Sequence, residues 1–238
     1  MHHHTRLLLL SSSRTSGAGF LEHAEEHLRG FLGPEVKRVL FIPYAGVSHD
    51  YAEMTEKTAA VFARLGYGLT GIHTAPDPVA AVQGAEAVAV SGGNTFRLLT
   101  LMQQQRLLAP LRARALAGMP YIGWSAGSNL ACPTIRTTND MPIVWPEGCD
   151  GLELVSFQIN PHYTELLPPE HQGETRDDRL REFMQLNPEM PVLGLREGSA
   201  LRLSGGELKL LGELDAKLFQ GGTSRELCPH ESLQFLMR

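Results

Sequence analysis

The strongest constraint on this chain is a rhythm in its first half, where short apolar runs alternate with longer amphipathic segments. Runs at Arg6–Ser11, Arg38–Pro43, Gly68–His73, Ala87–Ser91 and Tyr121–Trp124 have strand length. The intervening segments Phe20–Arg29, Tyr51–Leu65, Pro78–Gln83 and Thr95–Ala117 have helical spacing, the last with a break expected near Ala109-Pro110. This order predicts a doubly wound α/β fold: a mainly parallel sheet with helices on both faces. Runs such as VLFIP (39–43) and AVAV (87–90) are apolar throughout rather than alternating, as strands covered on both faces are.

The second half changes character. Glu174–Gln185 reads as a helix rich in Arg, Asp and Glu. Val192–Leu195, Ala200–Leu203, Leu208–Leu211 and Leu218–Gln220 read as short strands, a β-rich C-terminal region packed on one edge of the sheet. The chain's 238 residues suffice for one large α/β domain, and no repeat or low-complexity linker divides them, so residues 1–238 are expected to form a single domain.

Composition excludes several functions. A net charge of −5 argues against a broad nucleic-acid footprint. The longest apolar run, Leu7–Leu10, is far too short to span a bilayer. MHHHTRLLLLSSS lacks the form of a secretory signal, and His2-His3-His4 reads as an extension or tag remnant. Cys132, Cys149 and Cys228 include no CxxC pair, which implies neither a disulfide framework nor a zinc site and fits a reducing cytoplasm.

Ligands of open α/β sheets bind at the carboxyl ends of the strands. Three polar, glycine-containing stretches follow predicted strands and therefore share one rim: Pro43–His49, Ser91–Phe96 and Ser125–Asn129. The last belongs to Gly123-Trp124-Ser125-Ala126-Gly127, a G-x-S-x-G turn between a strand and a helix start, which lifts a serine hydroxyl above the sheet. Backbone N–H groups at Ala126 and in the Gly92-Gly93 pair are placed to stabilise an oxyanion. Asn94 is suited to cap the next helix and also to meet a ligand. Cys132 is a rival nucleophile, though it falls where a helix should be packing.

A serine nucleophile needs a base. Of 10 histidines, His162, His73 and His49 follow strands, whereas His171 and His230 lie in polar surroundings. Spacing does not choose among the first three. Among carboxylates to orient the base, Glu197 just past a buried strand and Asp140 stand out, and the residues alone do not separate them either.

The chain resembles the peptidase E family of α-aspartyl dipeptidases. The resemblance runs through FIPYAGV (41–47), GGNTF (92–96), YIGWSAGSNLACPTIRTTNDMPIV (121–144), INPHYT (159–164), GETRDDRLRE (173–182) and GLREG (194–198). It implies a serine peptidase on a scaffold like that of class I glutamine amidotransferases and flavodoxin, distinct from the α/β-hydrolases. The activity implied is release of an N-terminal aspartate, chiefly from Asp-X dipeptides. By motif, the resemblance makes Ser125 the nucleophile, His162 the base and Glu197 the third member, with Asp140 as its alternative. Gly93 and Ala126 become the oxyanion donors and Arg176 the ligand of the substrate carboxylate. Asn94 and Arg136 are weaker candidates for substrate binding. Neither metal nor organic cofactor is implied. The expected partner is a small peptide with N-terminal Asp, and monomer and homodimer both stay open. Two departures are mild: Ser128 stands where the family pattern has Ala, and Tyr163 where it has Phe. Two other functions compete: a cyanophycinase-like β-aspartyl peptidase, and a non-catalytic binding protein for an aspartyl metabolite.

Overall fold

A computed structural model describes residues 4–237 apart from 168, 171 and 230, so His2, His3, His171 and His230 lie outside the described residues. Strands β1 (Leu7–Leu10), β2 (Arg38–Ile42), β3 (Gly68–Gly71), β4 (Ala87–Val90) and β5 (Tyr121–Trp124) alternate with helices α1 (Glu25–Leu32), α2 (Tyr51–Arg64), α3 (Pro78–Gln83), α4 (Thr95–Gln104) and α5 (Leu108–Leu116). There follow α6 (Ala126–Leu130), β6 (Gln158–Tyr163), α7 (Arg176–Leu186), β7 (Val192–Arg196), β8 (Ala200–Ser204), β9 (Glu207–Leu211), β10 (Ala216–Gln220) and β11 (Thr223–Leu227).

The main sheet has seven strands in the order β3-β2-β4-β5-β1-β8-β9. Strands β1 to β5 run parallel, and β8 and β9 extend the β1 edge antiparallel. Its central strands β1, β4 and β5 are buried on both faces, which is why β1 consists of four consecutive leucines. Leu8 and Leu10 pack with α1 and α2 on one face, while Leu7 and Leu9 join the opposite core with α3 to α6. The fold is α/β of flavodoxin-like type.

The β-rich end departs from the expected arrangement. Only β8 and β9 pack on the sheet edge; β6, β7, β10 and β11 form a second sheet of four strands in the order β11-β10-β7-β6. A period-two pattern marks each strand but carries no information about its partner, so sequence could not assign these four to a sheet of their own. One core joins the two sheets, since Ile159, Leu193 and Leu218 pack in the same cluster as Leu7 and Val90.

The expected break in Thr95–Ala117 falls earlier than Pro110. Helix α4 stops at Gln104, Arg106 takes φ 56°, and α5 begins at Leu108. Pro110 then sits in the first turn of α5, where no helical carbonyl would have bonded its missing N–H.

The chain steps from β2 to β3 on one side and returns to β4 on the other. The sheet therefore has its switch point between β2 and β4. The loops that open there, 43–49 and 91–94, flank the end of β5 on which Ser125 stands.

Candidate active site

Ser125 occupies a strained turn, with φ 52° and ψ −111°, between β5 and α6. The turn closes only because its neighbours are small. A Cβ on Gly127 would lie 2.3 Å from the Val90 carbonyl oxygen of β4. Ser125 N–H is held by Leu10 O at 3.1 Å, which fixes the nucleophile to the end of β1.

His162 reaches Ser125 from the second sheet. It lies in β6, where the register with β7 shifts between Asn160 and Tyr163, and takes φ 52°. This bulge re-aims the imidazole toward the main sheet. Loop 131–140 and α6 brace it: Asn139 Nδ2 donates to Pro161 O at 2.7 Å, Asn160 Nδ2 to Thr137 O at 2.9 Å, and Asn129 Nδ2 of α6 to Ile159 O at 2.8 Å. The long polar run after Ser125 is thus a scaffold for the histidine.

Glu197 sits in the turn between β7 and β8, where the chain crosses from one sheet to the other. The three side chains form a hydrogen-bonded chain. Ser125 Oγ and His162 Nε2 are 2.8 Å apart, and His162 Nδ1 and Glu197 Oε1 are 2.7 Å apart. The carboxylate accepts from Nδ1–H, which leaves Nε2 as the acceptor of the serine proton. This is the geometry of an activated nucleophile.

Ser11, at the end of β1, was not found by sequence reasoning. Its buried hydroxyl accepts from His162 N–H at 2.8 Å and donates to Leu195 O at 2.6 Å, while its N–H meets Ser199 O at 3.0 Å. It joins the histidine to the strand ends on both sides of Glu197. No local signal marks it, since it reads as the polar end of an apolar strand.

Gly93 lines the same cavity as Ser125, and Ala126, next to Ser125, is the first residue of α6, where no helical carbonyl takes the N–H. Gly93 has φ 137°, and a Cβ there would lie 2.3 Å from Ala45 O, so only glycine allows this backbone path.

Other sequence candidates turn out differently. Asp140 does not meet the histidine: its Oδ2 accepts from Thr95 N–H at 2.7 Å, Thr95 Oγ1 at 2.6 Å and Thr138 Oγ1 at 3.1 Å, at the start of α4. The polar atoms of the Asn94 side chain are committed to structure, since Oδ1 caps Arg97 N–H at 3.0 Å and Nδ2 donates to Met141 O at 2.9 Å. Arg136 Nη2 donates to Asn187 Oδ1 at 3.0 Å, and its guanidinium lies over the Phe183 ring. Cys132 is fully buried, and burial pushes its thiol up to about 12, so it holds no thiolate at neutral pH. His73 packs against Tyr51, away from Ser125, while His49 lines the same cavity as Ser125 without bonding to it.

That cavity has a volume of about 550 Å³ and is lined by Ser91, Gly92, Gly93, Ser125 and His162, among others. Arg176 borders an adjoining cleft of about 160 Å³, and Asp140 lines both. Arg176 is the first residue of α7, whose start is fixed by a capping box between Thr175 and Asp178. Its guanidinium is half-buried, and desolvation lowers its pKa from the ordinary value although Glu197 opposes the shift. It has no ion-pair partner among the described residues.

The model of peptidase family S51 matches residues 7–211. A peptidase E of Nostoc sp. is 46% identical over 233 residues, covering 98% of this chain and 96% of that protein. A peptidase E of Salmonella typhimurium is 50% identical over 216 residues, covering 91% and 94%. Among solved structures, a peptidase from an acI-B1 Actinobacterium superposes with a TM-score of 0.70 at 16% identity, covering 98% of this chain and 97% of that one. A protein from Listeria monocytogenes, named as a candidate peptidase E, gives 0.66 at 22% identity, covering 87% and 98%.

Proposed function

The chain belongs to peptidase family S51 and is a serine peptidase, and from that premise we propose that it hydrolyses the bond after an N-terminal aspartate, chiefly in Asp-X dipeptides, through an acyl-enzyme on Ser125. The observation that carries the reading is the unbroken hydrogen-bonded chain Ser125–His162–Glu197.

In this mechanism Ser125 Oγ attacks the aspartyl carbonyl carbon while its proton passes to His162 Nε2. The carbonyl oxygen becomes an oxyanion held by the N–H groups of Gly93 and Ala126. The imidazolium, oriented by Glu197, donates its proton to the leaving amine as the C–N bond breaks. Water then attacks the ester carbonyl and gives its proton to His162, which passes it to Ser125 Oγ as the acyl C–Oγ bond breaks and aspartate leaves. The chain's own groups take and return every proton.

Arg176 is assigned the aspartate side chain. A half-buried guanidinium without an anionic partner gains most by receiving a carboxylate, which it can hold by two hydrogen bonds. A reducing, cytoplasmic setting is part of the reading and rests on three free cysteines.

Hydrolysis of Asp-p-nitroanilide, compared with Leu-p-nitroanilide and a β-aspartyl dipeptide, tests the proposal with Ser125→Ala as control. The expected result is release from the α-aspartyl substrate alone, abolished by Ser125→Ala. Turnover of the β-linked substrate would replace the reading with a cyanophycinase-like one. Tight binding of aspartyl compounds without turnover would replace it with a binding protein.

A further inference from the structure

The cavity in front of Ser125 holds two cations that the proposed mechanism does not use. Arg14 follows β1 and Lys57 lies on α2, and both line the cavity together with Ser125 and His162. Neither has an ion-pair partner among the described residues. Lys57 Nζ instead lies 4.7 Å from the centre of the Phe20 ring, a contact that holds the ammonium without neutralising it. The cavity's two carboxylates have other roles. Asp140 is hydrogen-bonded to Thr95 and Thr138. Glu53 stands in the first turn of α2, where its charge complements the helix end.

We infer that this cavity is a subsite for the residue that leaves, and that Arg14 and Lys57 bind its free C-terminal carboxylate. The inference rests on the aspartyl-dipeptidase reading above. If the aspartyl side chain faces Arg176 in the adjoining cleft, the larger cavity is left for the other half of the substrate. In a dipeptide that half ends in a carboxylate only one residue beyond the scissile bond, a distance of about 4 Å between Cα atoms. The side chain of the leaving residue then meets an apolar wall of Phe20, Met54 and Trp124. Selection of dipeptides thus follows from charge: a longer peptide presents a neutral amide where the two cations require an anion.

The test compares Asp-Leu with its C-terminal amide, and L-leucine with L-leucinamide, in the wild type, Arg14→Ala and Lys57→Met. The methionine keeps an apolar stem over Phe20. Both cations are exposed, so the variants are expected to melt with the wild type. Wild type should prefer the free acid in kcat/KM, and each substitution should reduce that preference about tenfold, mainly through KM, as expected for one exposed charge-assisted contact. Calorimetry should show L-leucine binding more tightly than L-leucinamide, with the difference lost in the variants. An equal fall for acid and amide would place the two cations elsewhere in the reaction and overturn the inference, as would an unchanged preference. Should the wild type hydrolyse no aspartyl substrate, the dipeptidase reading fails. The leucine measurement still decides the subsite: discrimination lost on substitution supports it, and no discrimination refutes it.

Discussion

At the scale of single residues, two carboxylates near the site have separable roles. Among the described residues Glu197 hydrogen-bonds to the imidazole alone, and its side chain is 54% exposed. Replacing it by Gln keeps the shape but removes the charge that favours the imidazolium and selects its tautomer. We expect Glu197→Gln to lower kcat by about two to four orders of magnitude with little change in melting temperature, readable by steady-state kinetics beside a thermal melt. Asp140 joins loop 131–140 to the start of α4, where an anion also complements the helix end. Asp140→Ala leaves the N–H of buried Thr95 without its acceptor. It should destabilise the fold by about 1–3 kcal/mol, measured by denaturant titration, and act on catalysis only by loosening the Gly93 loop. Turnover that survives Glu197→Gln but vanishes in a folded Asp140→Ala protein would reverse the assignment. The sequence alone could not make this choice. Both residues follow plausible elements, and what separates them is a contact between His162 and Glu197 across 35 positions of chain.

At the scale of elements, the site is built where strand ends from two sheets meet. Strand β1 is the common support: Leu10 O holds the Ser125 N–H, and Ser11 holds both His162 N–H and Leu195 O. Ser11→Ala would leave a buried donor and a buried acceptor unpaired and free the strained His162 to relax. We expect a loss of about 1–3 kcal/mol in stability. We also expect a fall in kcat of about 10- to 100-fold, with KM moving much less because Ser11 does not line the substrate cavity. A KM effect as large as the kcat effect would argue for general loosening instead. The rim of this architecture was legible because its signals are local: an apolar strand, then glycine and polar residues, then a helix start. That grammar located Ser125, Gly93 and the switch-point loops. The second sheet was illegible for the opposite reason. QINPHY and VLGLR are readable strands, but their pairing with each other and with β10 depends on contacts between distant segments. The role of Ser11 depends on a bond across 151 positions. Arg14 and Lys57 were equally silent, since an exposed cation reads the same whether it faces solvent or a substrate.

At the scale of the whole molecule, α7 with Arg176 must be held against the second sheet for the proposed aspartate pocket to exist, and a charged network does this. Arg196 Nη2 and Lys217 Nζ each lie 2.7 Å from Glu165, Arg196 Nη1 lies 2.8 Å from Glu226, and Lys217 lies 2.9 Å from Asp177 in the first turn of α7. Tyr163 donates to that same Asp177 at 2.5 Å, one residue beyond His162. Hydrogen bonds from Lys217, then Arg196, hold the Glu165 carboxyl down at about 2, against an ordinary value of 4.5. A carboxylate with a depressed folded-state pKa stabilises the fold above its unfolded value, and the contribution disappears as pH falls toward the folded value. The Glu165 contribution should therefore be complete above about pH 4.5 and lost progressively toward about pH 2. Because Glu165 is 47% exposed, screening reduces its size, and it should weaken further in high salt. Glu165→Gln should consequently melt below the wild type at pH 7, and the gap should narrow as pH is lowered through this window. Aspartyl-substrate KM should rise in the variant more than kcat falls, because the loosened element carries Arg176 and not the Ser125–His162 pair. A melting difference that stays constant from pH 7 to pH 3 would mean that Glu165 acts through packing rather than charge. A change confined to kcat would mean that α7 does not hold the aspartate, and the assignment of Arg176 would fall with it.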